Sequence, residues 1–227
     1  MLQKVKYDIM IIISSYNRYD MLTDLLNKLN NQDSIYSSKI IVNDDYSSDI
    51  RYNSLNQDFA NVTFLRSPIN KGKDKYWQTM NELLAEVKKY DFDYVLTIPD
   101  DFDICDNFLD LLIEEHKSAK EIDPQVVCTS YANISKIKRW GLPHWMDGDS
   151  IFDKKFFEKI NFTIDTIKPS GKNEGSGVWK QISQKINTFK FKIHKPKNIF
   201  ITHLGHTDSK MHPQLRKIKK LIIEKTI

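Results

Sequence analysis

The chain has 227 residues, 40% hydrophobic and 28% charged, with a formal net charge of +4, so it can bury a full core as an ordinary globular domain. Its longest aliphatic run, residues 9–13, is far too short to span a bilayer, and the opening MLQKVKYDIM lacks the apolar stretch and cleavage site of a secretory signal, so a cytoplasmic location is expected. Cys105 and Cys128 make neither a disulfide framework nor a metal-finger spacing, and the bases lack the dense stripe with interleaved aromatics of a nucleic-acid binder.

Taken in chain order, apolar runs predict strands near residues 7–13, 39–43, 62–65 and 94–98. Leu22, Leu25, Leu26 and Leu29 share one helical face after the first strand; Met80, Leu83, Leu84 and Val87 share another before the fourth. This alternation predicts an α/β fold, an open, mixed, mostly parallel sheet flanked by helices, in a single domain over 1–227. Further on, a helix is predicted over 107–118 and a strand over 126–130. An aromatic loop KRWGLPHWMDGDS, a short segment DKKFFEKI, a loop PSGKNEGSG, a helix over 178–186 and a last strand NIFITH follow. In the basic tail LRKIKKLIIEKTI, Leu215, Ile218, Leu221 and Ile222 recur at helical spacing, which suits a terminal helix docked on the domain or one lying peripherally on an anionic membrane.

Ligands of open α/β sheets bind outside the carboxyl ends of the strands. Three polar clusters fall there: SSYN after the first strand, NDDYSSD after the second and PDDFD after the fourth. Each alone is ordinary turn chemistry, and Asp106 is placed to cap the next helix. Together they converge in space, and so many carboxylates at the end of a buried strand need either water or a cation.

The same residues resemble the nucleotide-sugar glycosyltransferases of GT-A fold, family 2. That family opens with a strand and T/S-Y-N-R, here IIISSYNR, and continues with I-I-V-x-D-D-G-S-x-D, here IIVNDDYSSD. It then shows N-x-G…N, here NKGKDKYWQTMN, and a strand ending in acids. The match covers roughly residues 7–120; the second half matches more loosely.

The resemblance implies a nucleotide-binding half, 1–120, and an acceptor- and sugar-binding half, 121–227, that ends in the C-terminal helix. It implies that Ser14 and Tyr16 line the base pocket and that Asp45 accepts the imide N–H of uracil or thymine, favouring a UDP or dTDP donor. Asp44 is then more structural, and Lys75 lies near the nucleotide. Adjacent residues leaving a strand point in opposite directions, so Asp100 is expected to face the ribose while Asp101 faces the diphosphate and holds Mn²⁺ or Mg²⁺. The chain departs from the family's Asp-x-Asp: the first acid falls on Pro99, and Asp103 is held in reserve. His203, or failing it His206, is implied as a second metal ligand.

An inverting transferase needs a base to take the proton of the attacking hydroxyl. Glu174 is the first choice, with Asp147 and Asp149 as alternatives beside Gly148, and Trp140 and Trp145 either stack on sugar or pack in the core. The implied activity is transfer of a hexosyl or deoxyhexosyl group from a nucleoside-diphosphate sugar to a glycan, lipid-linked or glycoprotein acceptor, as in polysaccharide biosynthesis. Two rivals stand beside it. A sugar-phosphate nucleotidyltransferase would want a glycine-rich loop after the first strand, and SSYNRYD has no glycine. A non-catalytic carbohydrate- or nucleotide-binding protein on a decayed transferase fold is the reading that Pro99 supports.

Overall fold

The computed structural model describes residues 4–131, 146, 148–167, 176–196 and 201–204. Strand β1 (Lys6–Ser15) runs through the centre, and its residues 9–13 are at most 2% exposed, which shows that both of its faces are covered. Strand alternation divides them: Ile9, Ile11 and Ile13 enter one core, Met10 and Ile12 the other.

Helix α1 (Tyr19–Asn30) buries Leu22, Leu25, Leu26 and Leu29, the stripe read from spacing, in the first core. Each such leucine contributes roughly 1.5–3 kcal/mol of burial. Strand β2 (Ser38–Asp44) pairs parallel to β1, with Ile40 opposite Ile11. A 3-10 turn (Ile50–Ser54) and the one-turn helix α2 (Leu55–Asp58) lead to β3 (Val62–Arg66). A second 3-10 turn (Lys73–Lys75) opens α3 (Tyr76–Val87), which buries Met80, Leu83, Leu84 and Val87 in the second core.

Strand β4 (Asp91–Thr97) returns beside β1; β5 (Phe102–Ile104) and α4 (Phe108–Ile122) follow. Then come β6 (Val126–Ser130), β7 (Ser150–Asp153), α5 (Lys154–Lys159), α6 (Ser176–Thr188), β8 (Lys192–His194) and β9 (Ile201–His203). Among the described residues, seven strands form the main sheet in the order β3-β2-β1-β4-β7-β6-β8. β7 runs antiparallel to both neighbours and the remaining pairs are parallel. β5 and β9 form a separate antiparallel pair. Residues of α1 and α4 cover one face, and those of α3, α5 and α6 cover the other. The expected class, an open, mixed, mostly parallel sheet flanked by helices in one domain, is the observed one.

Three strands escape the sequence pattern. β5 and β8 are three residues long, and β7 is buried at all four positions, so none shows the alternation that marks a half-buried strand. Asp106 is not the cap of α4. It is exposed, and the cap position belongs to Asn107 in the left-handed region at φ 56°, without a side-chain cap bond. The free Leu109 N–H instead donates to Oε1 of Gln32 at 3.4 Å, so a residue after α1 caps α4 across space. No helix of the described residues is long and apolar enough to cross a membrane. The basic tail lies outside the described residues.

Candidate active site

The carboxyl ends of β1, β2 and β4 lie side by side, because all three run parallel in adjacent positions. At the end of β1 the chain turns sharply through Asn17, at φ 52°. Asn and Asp tolerate that region better than bulkier residues, and local hydrogen bonds hold it here. The Asn17 N–H donates to Ser47 Oγ at 2.8 Å, and Asn17 Oδ1 accepts the Ser48 N–H at 2.8 Å. The next residue, Arg18, donates its backbone N–H to the Tyr52 hydroxyl at 3.1 Å, and that hydroxyl lies 2.6 Å from Ser15 Oγ. The backbone of SSYNR is thus tied to the loop after β2.

Asp44 accepts the Ser47 N–H at 2.9 Å and pairs with Arg66 Nε at 3.4 Å, so it braces the loop that holds Asn17. Asp45 is 8% exposed and accepts two backbone donors, Lys71 N–H at 2.9 Å and Gly72 N–H at 2.8 Å. Lys71 turns its ammonium inward, 2.5 Å from Glu82 Oε2 and 2.8 Å from Ser67 Oγ. Burial pushes the Glu82 carboxyl up, but hydrogen bonds from Lys71, Asn43 and Ser67 outweigh it and leave the group below its ordinary value.

After β4 the chain leaves the sheet at Pro99, and Asp100 and Asp101, 3% and 4% exposed, stand in the turn that follows. They do not diverge as strand alternation would have them. Arg18 Nη1 donates at 2.9 Å to Asp100 Oδ1 and at 2.9 Å to Asp101 Oδ2. Residues in a turn do not obey period-two alternation, which explains the difference. Burial pushes the Asp100 carboxyl up, and the pull of Arg18 and Ser15 in the other direction does not cancel it. Burial also works against the Arg18 charge, but the two carboxylates together hold its pKa above the ordinary value.

A divalent cation fits this pair. The donors are hard carboxylate oxygens, and Asp100 Oδ2 is buried with no hydrogen-bond partner among the described residues. Among those residues no group of three or more His, Cys, Asp or Glu side chains is arranged to hold a metal. Backbone pairing brings β9 alongside: His203 is in register with Phe102, and the Leu204 N–H donates to the Asp101 carbonyl at 2.8 Å. The His203 side chain and all of His206 lie outside what is described.

Ser14 Oγ points at the Tyr76 hydroxyl, 3.5 Å away. Both line a cavity of about 140 Å³ with Thr97, Pro99, Gly148 and Trp179. The Thr97 hydroxyl donates to the Gly148 carbonyl at 2.7 Å, and a Cβ on Gly148 would stand 3.0 Å from the Trp179 indole. Ser14, Asp45, Asp100 and Asp101 therefore share one end of the sheet. Tyr16 and Lys75 stand exposed around it. Glu174, Asp147, Trp140 and Trp145 are outside the described residues, and Asp149 is buried at 2% exposure. Sequence reasoning quoted Arg18 without a role and passed over Tyr52, Tyr76 and Trp179. The first offered a signal, a long cation just after a strand facing acids from another; the others did not.

The sequence profile of glycosyl transferase family 2 matches residues 10–186. Nothing matches among curated proteins. Among solved structures, the chain is similar to the mannosyltransferase PcManGT from Pyrobaculum calidifontis, in complex with GDP-Man and Mn²⁺, at 15% identity and a TM-score of 0.62, over 96% of this chain and 63% of that one. It is also similar to S. aureus TarS 1-349, at 15% identity and a TM-score of 0.56, over 86% of this chain and 59% of that one. The same TarS fragment in complex with UDP-GlcNAc gives 15% identity and a TM-score of 0.56, over 91% and 62%. The chain thus spans about three fifths of the length of these solved proteins, and at such identity the likeness speaks for a shared GT-A-like fold. The profile, by contrast, takes in most of the chain, from the central strand through Asp100 and Asp101 into the last turn of α6, and the chain belongs to glycosyl transferase family 2.

Proposed function

We propose that the chain is an inverting glycosyltransferase that moves a hexosyl or deoxyhexosyl group from a nucleoside-diphosphate sugar, UDP or dTDP preferred, to a hydroxyl of a glycan, lipid-linked or glycoprotein acceptor. Mn²⁺ or Mg²⁺ assists it. One observation carries this reading: two adjacent carboxylates, Asp100 and Asp101, are buried together at the carboxyl end of β4, and one oxygen lacks a partner among the described residues. The family gives that pair its context, and the solved relatives supply ligands of the right class, GDP-Man with Mn²⁺ in one and UDP-GlcNAc in the other.

The chemistry needs three things. The leaving diphosphate gains charge as the glycosidic bond breaks, and a cation held by Asp100 and Asp101 would supply the neutralising charge. The base must be seated. Ser14 and the exposed Tyr16 ring flank one side, and Asp45, whose oxygens each keep a second acceptor site beyond the bonds from Lys71 and Gly72, takes a pyrimidine N–H. The acceptor hydroxyl must lose a proton, and Glu174, then Asp147, are the bases assigned. Asp149 suits this less because it is buried. His203, carried on β9 beside Asp101, remains the assigned second ligand, ahead of His206.

The test is release of nucleoside diphosphate from a panel of sugar nucleotides with Mn²⁺, Mg²⁺ or EDTA, on the intact chain and on Asp101→Ala. The variant should lose about 100-fold or more in turnover, together with Mn²⁺-dependent nucleotide binding. Undiminished turnover would defeat the assignment. Silence of the intact chain with every donor and metal would favour a non-catalytic binding protein.

A further inference from the structure

We infer that Arg18 is an internal counter-ion that holds Asp100 and Asp101 until a divalent cation takes them, and then passes to the diphosphate that the cation brings. The inference rests on the metal-dependent reading above and concerns a residue to which that reading gives no part.

Three observations support it. A single nitrogen, Nη1, lies 2.9 Å from an oxygen of each carboxylate, which is the position a bridging cation would claim. Arg18 offers the two carboxylates one positive charge and a divalent cation offers two, and both claim the same place between the acids. In a pocket where both acids are about 5% exposed, that difference favours exchange over addition. The guanidinium, finally, has somewhere to go. The Arg18 backbone is pinned through Tyr52, but its side chain is 48% exposed, so it can swing through solvent without disturbing the turn. A planar guanidinium also suits bidentate contact with phosphate oxygens.

Two consequences separate this device from a fixed structural ion pair. Mn²⁺ should bind weakly alone and more tightly with UDP, because the nucleotide rewards the released guanidinium. Removing the guanidinium should improve binding of Mn²⁺ alone while it removes that cooperation.

Isothermal titration of the full chain with Mn²⁺, with and without saturating UDP, tests this on the intact protein, Arg18→Gln and Arg18→Lys. Arg18→Gln should bind Mn²⁺ alone on the order of tenfold more tightly than the intact chain and show less enhancement by UDP. Arg18→Lys, too short to bridge both acids, should shift the same way by less, and it carries the comparison if the Gln variant does not fold. Equal or weaker Mn²⁺ binding in the folded variants overturns the inference and leaves the transferase reading standing. UDP binding that ignores Mn²⁺ in every protein makes Arg18 a permanent cation, which overturns the exchange. If the intact chain binds neither Mn²⁺ nor UDP in any combination, the metal-dependent reading fails and the inference falls with it.

Discussion

The Asp45 carboxylate accepts the backbone N–H of Gly72 at 2.8 Å, and its other oxygen accepts that of Lys71 at 2.9 Å, so one acid at the end of β2 fastens the loop that leads into α3. Removing both acceptors leaves two half-buried backbone donors to water, at about 0.5–1.5 kcal/mol for a hydrogen bond. Asp45→Ala should lower stability in urea by that order, and amide exchange at Lys71 and Gly72 should rise. Asp45→Asn keeps one carbonyl oxygen and should recover part of both.

Gly72 itself sits at φ 58° and ψ −164°, a region closed to residues with a Cβ, and a methyl group there would stand 3.3 Å from Asn70 Oδ1. Gly72→Ala should cost about 1–3 kcal/mol. In a chain of this size that is a fall in Tm of about 2–4 °C per kcal/mol, readable by calorimetry. The Asp45 bonds cannot form unless the loop keeps this conformation, so the double variant with Asp45→Ala should fall short of additivity.

Gly148 has a different reason to lack a side chain. An added Cβ would press on the Trp179 ring at 3.0 Å, and both residues line the cavity beside Ser14 and Pro99. Gly148→Ala should destabilise by about 1–3 kcal/mol through overpacking. It should also change the near-ultraviolet circular dichroism, to which Trp179 contributes through its contact with Tyr76 at 6.4 Å. An unaltered spectrum and Tm would show that Trp179 yields freely.

On the buried face of α4, His116 is fully buried, with Nδ1 2.8 Å from Thr129 Oγ1 and Nε2 3.1 Å from Asp153 Oδ1. Asp153 also accepts from Lys120 at 2.7 Å. Burial depresses the His116 pKa below 6.5, with Lys120 and His194 adding to the effect and Asp153 opposing it. The unfolded chain therefore takes up a proton before the folded one does. Stability from this group is complete above pH 6.5 and is lost as pH falls below that value toward the folded pKa, at up to about 1.4 kcal/mol per pH unit. His116→Gln should flatten the decline just below pH 6.5 in urea titrations; an unchanged slope would assign it to other groups. Asp153 adds a second acid limb. Burial pushes it up, but His116 and Lys120 outweigh burial and hold it below 3.8, so its contribution persists above that value and disappears as pH falls further.

How much of this could be read in advance follows from element length and from what the chain must cross space to meet. β1, β2 and β4 carry apolar runs, α1 and α3 carry enough residues for a helical period to declare itself, and all five lie close to where those signals put them. β7 could not declare itself, because its four buried residues, SIFD, include a serine and an aspartate and make no apolar run. The convergence of the loops was legible for the same reason as the parallel sheet, since parallel neighbours end together. The joint seat of Asp100 and Asp101 on Arg18 offered only a signal, a long cation after one strand facing acids from another, and the bonds themselves join residues 82 positions apart. Lys75 and Lys71 show the same limit. Both are lysines beside one loop, yet Lys71 turns inward to Glu82 while Lys75 faces water, a choice made by the partner on α3.

Because β7 is wedged antiparallel between β4 and β6, the strand that delivers the two acids depends for its flank on residues more than fifty positions downstream. A fragment cut after residue 125 would retain the loops of the first half but bare the peptide groups of residues 94–97, and such an unguarded border invites pairing between molecules. The first half should therefore be no transferable module: it should unfold in one transition with its later companion, and a split-protein pair should regain solubility only when both pieces are made together.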